Sequence, residues 1–316
     1  MAKVAYYNMP GDISYEKHLL DEWNIKELIP KTVKGDDIVN NLQGYDGLVT
    51  EYTILDENTL RQLPELKIIA LQSVGFDEID IAGARRCNID VTNSPGYCTD
   101  EVATHAMALL LSLVRKIAFY DKATHEGKWD PFEGNTMHNL KGMTAGLFSF
   151  GRIAMTFANM LKAFGVRVIA YDPSKSGDFM KDHGVEKVDD PKELVSKSDI
   201  ISLHSPLNSK TYHMIDKELL NACKENAILI NTARGALIDE DALYEALLTG
   251  KISMAGLDVL EDEKSHNSKL FSLSNVIITP HTAFLSEESM QECRKIALEQ
   301  LVTKLIKNET PENLVN

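Results

Sequence analysis

Short apolar runs rich in β-branched residues alternate with helix-period segments along most of this chain, and no other feature constrains its fold as tightly. A continuous apolar run of four to seven residues suits a strand covered on both faces, and an amphipathic segment between two such runs supplies the crossover that parallel pairing needs. The pattern therefore implies an α/β chain with mainly parallel sheets. Two series are visible. The first has strand-like runs at 3–7, 47–50 and 66–71 and another around Val91, with an amphipathic stretch at 15–23, and it closes near Asn93, Ser94, Pro95 and Gly96. The second has runs at 145–150, 166–172, 200–204, 227–232, 255–259 and 276–279.

Between the series, Val102, Ala106, Leu110, Leu113 and Ile117 recur at helical spacing. They predict one long helix from Asp100 to Ile117, capped by Thr99 or Asp100, as a bridge between domains. Residues 239–248 predict a second helix, with Asp239 as cap and Gly250 just past its end. A last helix is expected over 287–306. If it packs back on the first series, the second domain is an insertion in a discontinuous first domain. The expected division is 1–98 with 286–316 for the first domain and 99–285 for the second. A chain of 316 residues, 44% of them hydrophobic and 25% charged, is long enough for two such cores.

Charge and cysteine usage narrow the partners. A net charge of −14 and a pI near 5.1 leave no basic footprint for nucleic acid or an anionic membrane surface. Cys87, Cys98, Cys223 and Cys293 are scattered without a paired spacing, so neither a metal site nor a disulfide framework is expected. The first residues meet Pro10, Gly11 and Asp12 too soon for a signal-peptide core, so a cytoplasmic location is expected.

The run at 145–150 leads into Ser149, Phe150, Gly151, Arg152, Ile153 and Ala154, a dinucleotide-binding fingerprint whose first glycine is replaced by serine. Its context is the required one: a strand before, a helix with Met155, Ala158, Met160 and Leu161 after, and Asp172 at the end of the next strand. Gly151 would let the backbone approach a pyrophosphate, and Asp172 would accept from ribose hydroxyls, favouring NAD over NADP. Ser149 fits the turn without strain only if its φ is negative; otherwise it costs up to about 1 kcal/mol. The alternative is that Gly151 closes a tight turn in some other doubly wound protein.

Three further strand ends carry chemistry. Arg234 follows the run at 227–232, the acids Asp258, Glu261, Asp262 and Glu263 follow the next, and His281 follows the last. Reducing a 2-oxo acid requires a cation on the carboxylate and ketone and a proton donor to the developing alkoxide. Arg234 and His281 fit those needs, and Glu263 is the acid expected to orient the imidazole and keep it protonated. Seen singly, each has an ordinary structural role open to it: a surface ion pair, a core histidine, a solvated acid.

Taken together, these segments resemble the D-isomer-specific 2-hydroxyacid dehydrogenase family over nearly the whole chain. The resemblance rests on 71–80, 93–103, 149–154, 203–207, 231–235, 256–259 and 279–281. It implies a Rossmann nucleotide-binding domain inserted in a flavodoxin-like domain, an NAD cofactor, and Arg234, Glu263 and His281 as the catalytic set. It also implies substrate contacts from the amides of Val74 and Gly75 and from the early loop at Glu51 and Tyr52. Asp258 would meet the nicotinamide carboxamide, with further cofactor contacts from Arg152, Ile153, His204, Pro206, Thr232 and Ala233. Hinges near Cys98 and Phe284, and a homodimer formed through the bridging helix and the loop around 129–139, follow from the same resemblance.

Leu71, Ser73, Thr104 and Ser149 depart from the family's usual residues, but no departure removes a catalytic group. An acid at Glu51 disfavours a phosphorylated substrate, so glyoxylate-, hydroxypyruvate- or lactate-like acids are expected rather than phosphoglycerate. The competing reading is an NAD(H)-sensing corepressor-like binding protein on the same fold; such proteins carry regulatory tails, and none is expected beyond Asn316. A formate dehydrogenase would require glutamine where Glu263 stands.

Overall fold

A computed structural model describes residues 1–51, 53–134 and 137–316. By contact the chain forms two compact units: Met1–Cys98 together with Ser286–Asn316, and Thr99–Leu285.

The first unit is built on five parallel strands, Ala2–Tyr7 (β1), Leu28–Val33 (β2), Gly47–Thr50 (β3), Ile68–Leu71 (β4) and Asp90–Thr92 (β5). They lie in the order β2-β1-β3-β4-β5, that of flavodoxin-like sheets. Alternate residues of β1 supply both faces: Val4 and Tyr6 join one core with Leu19, Val49 and Ile68, while Ala5 and Tyr7 join the other with Leu48, Ile69 and Val91. Pro30 lies inside β2 and has no N–H for a ladder, which an edge strand tolerates because one side goes unpaired.

The helix Glu287–Leu305 closes this unit. Its start is a capping box between Ser286 and Ser289, and Ala297, Leu298, Leu301 and Val302 pack into the core of Val4 and Tyr6. A Cβ on Gly47 would lie 2.9 Å from Leu301 and 3.1 Å from Leu305, so the missing side chain is what lets the helix sit on β3. Arg294 of this helix donates from Nε to the buried Glu16 at 2.8 Å. The chain end is stitched in as well, with the Val315 amide donating to the Val91 carbonyl at 2.9 Å.

The second unit carries seven parallel strands: Thr144–Phe148 (β6), Arg167–Tyr171 (β7), Glu186–Lys187 (β8), Ile200–Leu203 (β9), Ala227–Asn231 (β10), Ile252–Leu257 (β11) and Val276–Ile278 (β12). Their order, β12-β11-β10-β9-β6-β7-β8, reverses direction between β6 and β9. That reversal is the topological switch point of a doubly wound Rossmann sheet, outside whose carboxyl ends ligands bind. Buried apolar residues cover both faces of the sheet.

The bridging helix is shorter than its apolar spacing predicts. It runs Thr99–Val114, and a separate helix, Ile117–His125, follows at a bend of 61°. Lys116 stands between them at φ +53, in the left-handed region, where the i to i−4 ladder cannot continue. Among the described residues no single helix is long and apolar enough to cross a membrane.

Candidate active site

The candidate cofactor side begins where β6 stops. Phe148 is its last residue, Ser149 turns the chain, and Gly151 precedes the helix Arg152–Ala163. Most other helices here have an Asp or Ser side chain on their first amides: Asp37, Asp56, Asp80, Ser176, Asp190, Asp216, Asp239 and Ser286. The helix after Gly151 has no side-chain cap, so its positive end is open to an anion. A Cβ on Gly151 would meet nothing within 4 Å, so the glycine leaves open space.

Ser149 does not take the negative φ that would make it free of strain. It sits at φ +68, the conformation that a glycine at this place adopts without cost. Its Oγ lies 2.8 Å from the Oγ of buried Ser205, a bond between the residues that follow β6 and β9 across the switch point. Nearby, burial holds the His204 imidazole down at about 4, so it is neutral at neutral pH. Its Nε2 lies 3.0 Å from Ser202 Oγ and its ring leans on Phe157.

Asp172 stands at the end of β7, where its carboxylate accepts from the amide of Phe150 at 2.8 Å and from the amide and hydroxyl of Ser174. Burial works to raise its pKa, but these hydrogen bonds and the Lys175 charge outweigh it and leave the group below the usual carboxylate range. The carboxylate therefore also fixes the turn that carries the fingerprint. On the other side of the switch point, Thr232 Oγ1 is buried with no hydrogen-bond partner among the described residues, an orphan that a bound polar ligand would satisfy. Open space at Gly151, an uncapped helix and this orphaned hydroxyl fit a dinucleotide.

The candidate reacting side is assembled by three turns. Asn231 ends β10; its side chain accepts from the Ala233 amide and donates to the Arg234 carbonyl, folding the turn that presents Arg234. Gly235 then passes so close to the following segment that a Cβ would lie 1.9 Å from Leu260 C and O. Only glycine permits that approach, which sets the Arg234 turn against the loop carrying Glu261 and Glu263. Glu261 is held outside by His213 at 2.8 Å and by Tyr212, whose ring stacks on His213.

Glu263 is not simply a solvated acid. Its Oε2 lies 3.0 Å from His281 Nδ1. Burial would raise its pKa, but the His281 hydrogen bond and charge, the Leu260 amide and the Arg234 charge prevail and lower it. Arg234 and His281 thus both act on one carboxylate from separate turns. Since an ionised carboxylate only accepts, Nδ1 carries the proton between the two, and Nε2 is the ring nitrogen that Glu263 does not engage.

His281 itself is held at φ +54. Asp258, at the end of β11 and almost wholly buried, accepts at Oδ1 from the Thr279 hydroxyl at 2.5 Å and the Thr282 amide at 2.9 Å, and at Oδ2 from the Ala283 amide at 2.8 Å. The His281 amide donates to the Asp258 carbonyl at 2.8 Å. One aspartate thereby clamps the chain on both sides of the histidine.

In the first unit, the amides of Val74 and Gly75 donate to no other group among the described residues, while the Val74 carbonyl accepts from Asn93 and the Gly75 carbonyl from Ser73. Consecutive free N–H groups suit an anion. Arg152 is exposed at the helix start, Ile153 partly covered, Pro206 exposed and Ala233 partly covered. Tyr52 lies outside the described residues. Asn231, His105 and the Tyr212–His213 pair went unmarked as supports in the sequence; only Asn231 had a local signal, its place at the strand end before Arg234. No group of three or more His, Cys, Asp or Glu residues suited to a metal occurs among the described residues.

The family model described as "D-isomer specific 2-hydroxyacid dehydrogenase, NAD binding domain" matches residues 107–283. A glyoxylate reductase of Thermococcus litoralis is 40% identical over 294 residues, covering 91% of this chain and 88% of the relative. A hydroxypyruvate reductase of Thermotoga maritima is 38% identical over 307 residues, covering 96% and 97%. Among solved structures, D-lactate dehydrogenase from Aquifex aeolicus, complexed with NAD and lactic acid, superposes with a TM-score of 0.87 at 31% identity, covering 99% of this chain and 98% of that one. With its two parallel-sheet units and this matching nucleotide-binding region, the chain belongs to the D-isomer-specific 2-hydroxyacid dehydrogenase family.

Proposed function

We propose that this dehydrogenase acts on a small, unphosphorylated 2-oxo acid and its D-2-hydroxy partner, with Arg234, Glu263 and His281 as its catalytic residues. Its reaction class is that of the family, NAD-dependent interconversion of a 2-oxo and a 2-hydroxy acid. The observation that carries the residue assignment is the 3.0 Å pairing of Glu263 with His281, on a loop against which Gly235 packs the Arg234 turn.

When bound, the nicotinamide supplies the hydride for reduction or takes it in oxidation. The protein's part follows from its own groups. The Arg234 guanidinium pairs with the substrate carboxylate and draws electron density from the ketone oxygen. His281 Nε2 gives its proton to that oxygen as the alkoxide forms, and in the reverse direction takes it back. Glu263 accepts from Nδ1 and so keeps the imidazole in one orientation. The amides of Val74 and Gly75 hold carboxylate oxygen, and Tyr52 serves the substrate side chain.

For the cofactor, Ser149, Gly151, Arg152 and Ile153 line the pyrophosphate. Asp172 takes the adenosine ribose, and His204, Pro206, Thr232, Ala233 and Asp258 complete the contacts. The charged Asp172 opposes a 2′-phosphate and so favours NAD. Glu51 argues against a phosphorylated acid by charge repulsion. The functional labels follow: Met1–Cys98 with Ser286–Asn316 is the substrate domain, and Thr99–Leu285 the nucleotide domain.

The working form is a cytoplasmic homodimer. Trp129, Phe132 and Ile117 are 90%, 86% and 56% exposed, an apolar set that a second copy would cover. The test is a screen of NADH oxidation over glyoxylate, hydroxypyruvate, pyruvate and a phosphorylated 2-oxo acid. His281→Ala is expected to abolish turnover and leave NADH binding intact, and Arg234→Ala to lose both rate and substrate affinity. Near-normal turnover in either variant refutes the assignment, and a highest kcat/KM for the phosphorylated acid refutes the argument from Glu51.

A further inference from the structure

His105 projects from the Thr99–Val114 helix toward the clamp that holds His281. Its Nε2 lies 2.8 Å from Thr279 Oγ1 and 3.5 Å from Asp258 Oδ1. A threonine hydroxyl has one proton, and at 2.5 Å from a carboxylate oxygen Thr279 gives that proton to Asp258. Toward His105 the hydroxyl oxygen can then only accept. Nε2 of His105 must therefore be the protonated nitrogen, and the hydrogen bonds run in one direction, from His105 to Thr279 to Asp258.

The far end of this chain matters because of the backbone it restrains. Asp258 receives the amides of Thr282 and Ala283, and its carbonyl receives that of His281, so the loop is pinned before and after a histidine at φ +54. A non-glycine residue in that region stores about 1 kcal/mol or more and persists only where its surroundings over-determine it. The Thr279 hydroxyl is one of those determinants, and the bond from His105 braces it on the side away from its own bond to Asp258. Without a donor at Nε2 the hydroxyl is held by its bond to Asp258 alone.

We propose that His105 is a positioning residue for His281, acting through Thr279 and Asp258. The proposal rests on the reading of His281 as the acid and base. Misplacing a reacting group by about 1 Å costs about 100-fold in rate, and loosening rather than removing the clamp sets the expectation nearer tenfold.

The experiment compares His105→Leu, which has the bulk but no donor, with His105→Gln, whose amide can donate to Thr279. Amide hydrogen exchange is followed at Thr282 and Ala283, and steady-state kinetics are measured with NADH and the best 2-oxo acid from the screen. In His105→Leu exchange at both amides should quicken about tenfold and kcat fall about tenfold, with KM for NADH within about twofold of wild type. His105→Gln should recover most of both. Unchanged exchange in His105→Leu, a kcat that stays normal while His281→Ala is inactive, or equal damage in Leu and Gln variants overturns the proposal. A fully active His281→Ala instead refutes the acid–base reading, and the exchange arm then decides alone whether His105 organises the loop.

Discussion

Replacing His204 by glutamine should remove a specific acid sensitivity of the fold. In the folded protein burial lowers the imidazole from 6.5 to about 4, so as pH falls the unfolded chain takes up this proton first. The contribution is therefore absent above about pH 6.5, grows as pH falls below it, and levels off once the folded form is protonated as well. From those two values the penalty is about 2 kcal/mol at pH 5 and about 3 kcal/mol at its limit. Because the residue keeps part of its surface in water, these are upper figures.

Glutamine preserves a polar group toward Ser202, whose hydroxyl lies 3.0 Å from His204 Nε2, while removing the titration. Urea unfolding of wild type and His204→Gln at about pH 7.5 and about pH 5 reads the effect directly. The difference between the two proteins should move by about 2 kcal/mol in favour of the variant at the lower pH. Parallel losses in the two proteins would refute the reasoning, because they would mean that His204 takes its proton equally readily folded and unfolded.

Gly235→Ala should cost several kcal/mol of stability and a large part of kcat, because its Cβ would fall 1.9 Å from the Leu260 backbone and must separate the Arg234 turn from the Glu263 loop. Thermal unfolding together with kcat checks this, and a normal kcat contradicts it. Ser205→Ala removes the bond to Ser149 but leaves the strained φ, so NADH should bind about fivefold more weakly; Ser149→Gly removes bond and strain together and should bind nearly as wild type does. The reverse order in titrations of NADH fluorescence would show that the serine pair does not brace the loop. Asp172→Ala should weaken NADH and narrow the discrimination against NADPH, since it removes the charge and the acceptor for the Phe150 amide; an unchanged ratio of the two dissociation constants contradicts the ribose role.

Sequence alone determined what is encoded locally. Continuous apolar runs showed the central strands, because a strand covered on both faces has no polar side to display. Asp239 and Gly250 marked the ends of Glu240–Thr249, where Asp239 accepts from the Ala242 amide and Gly250 takes φ +79. The charged and polar candidates after β6, β10, β11 and β12 were legible because parallel sheets deliver their chemistry at carboxyl ends. The two-residue strand β8 and the proline-bearing edge strand β2 escaped notice, since the first lacks the length of a buried strand and the second its continuous apolar composition.

Tertiary structure decided what depends on partners far apart in the chain. The spacing through Ile117 predicts one helix, but the left-handed turn at Lys116 ends it, and apolar periodicity carries no record of that turn. Ser149 reads as tolerable only at negative φ; its bond to Ser205, 56 residues away, helps hold it at positive φ. Glu263 meets His281 across 18 residues, and His105 meets Thr279 across 174. Secondary structure follows from the period of the side chains along one segment, whereas the direction of a hydrogen-bond chain depends on which segments the fold brings side by side.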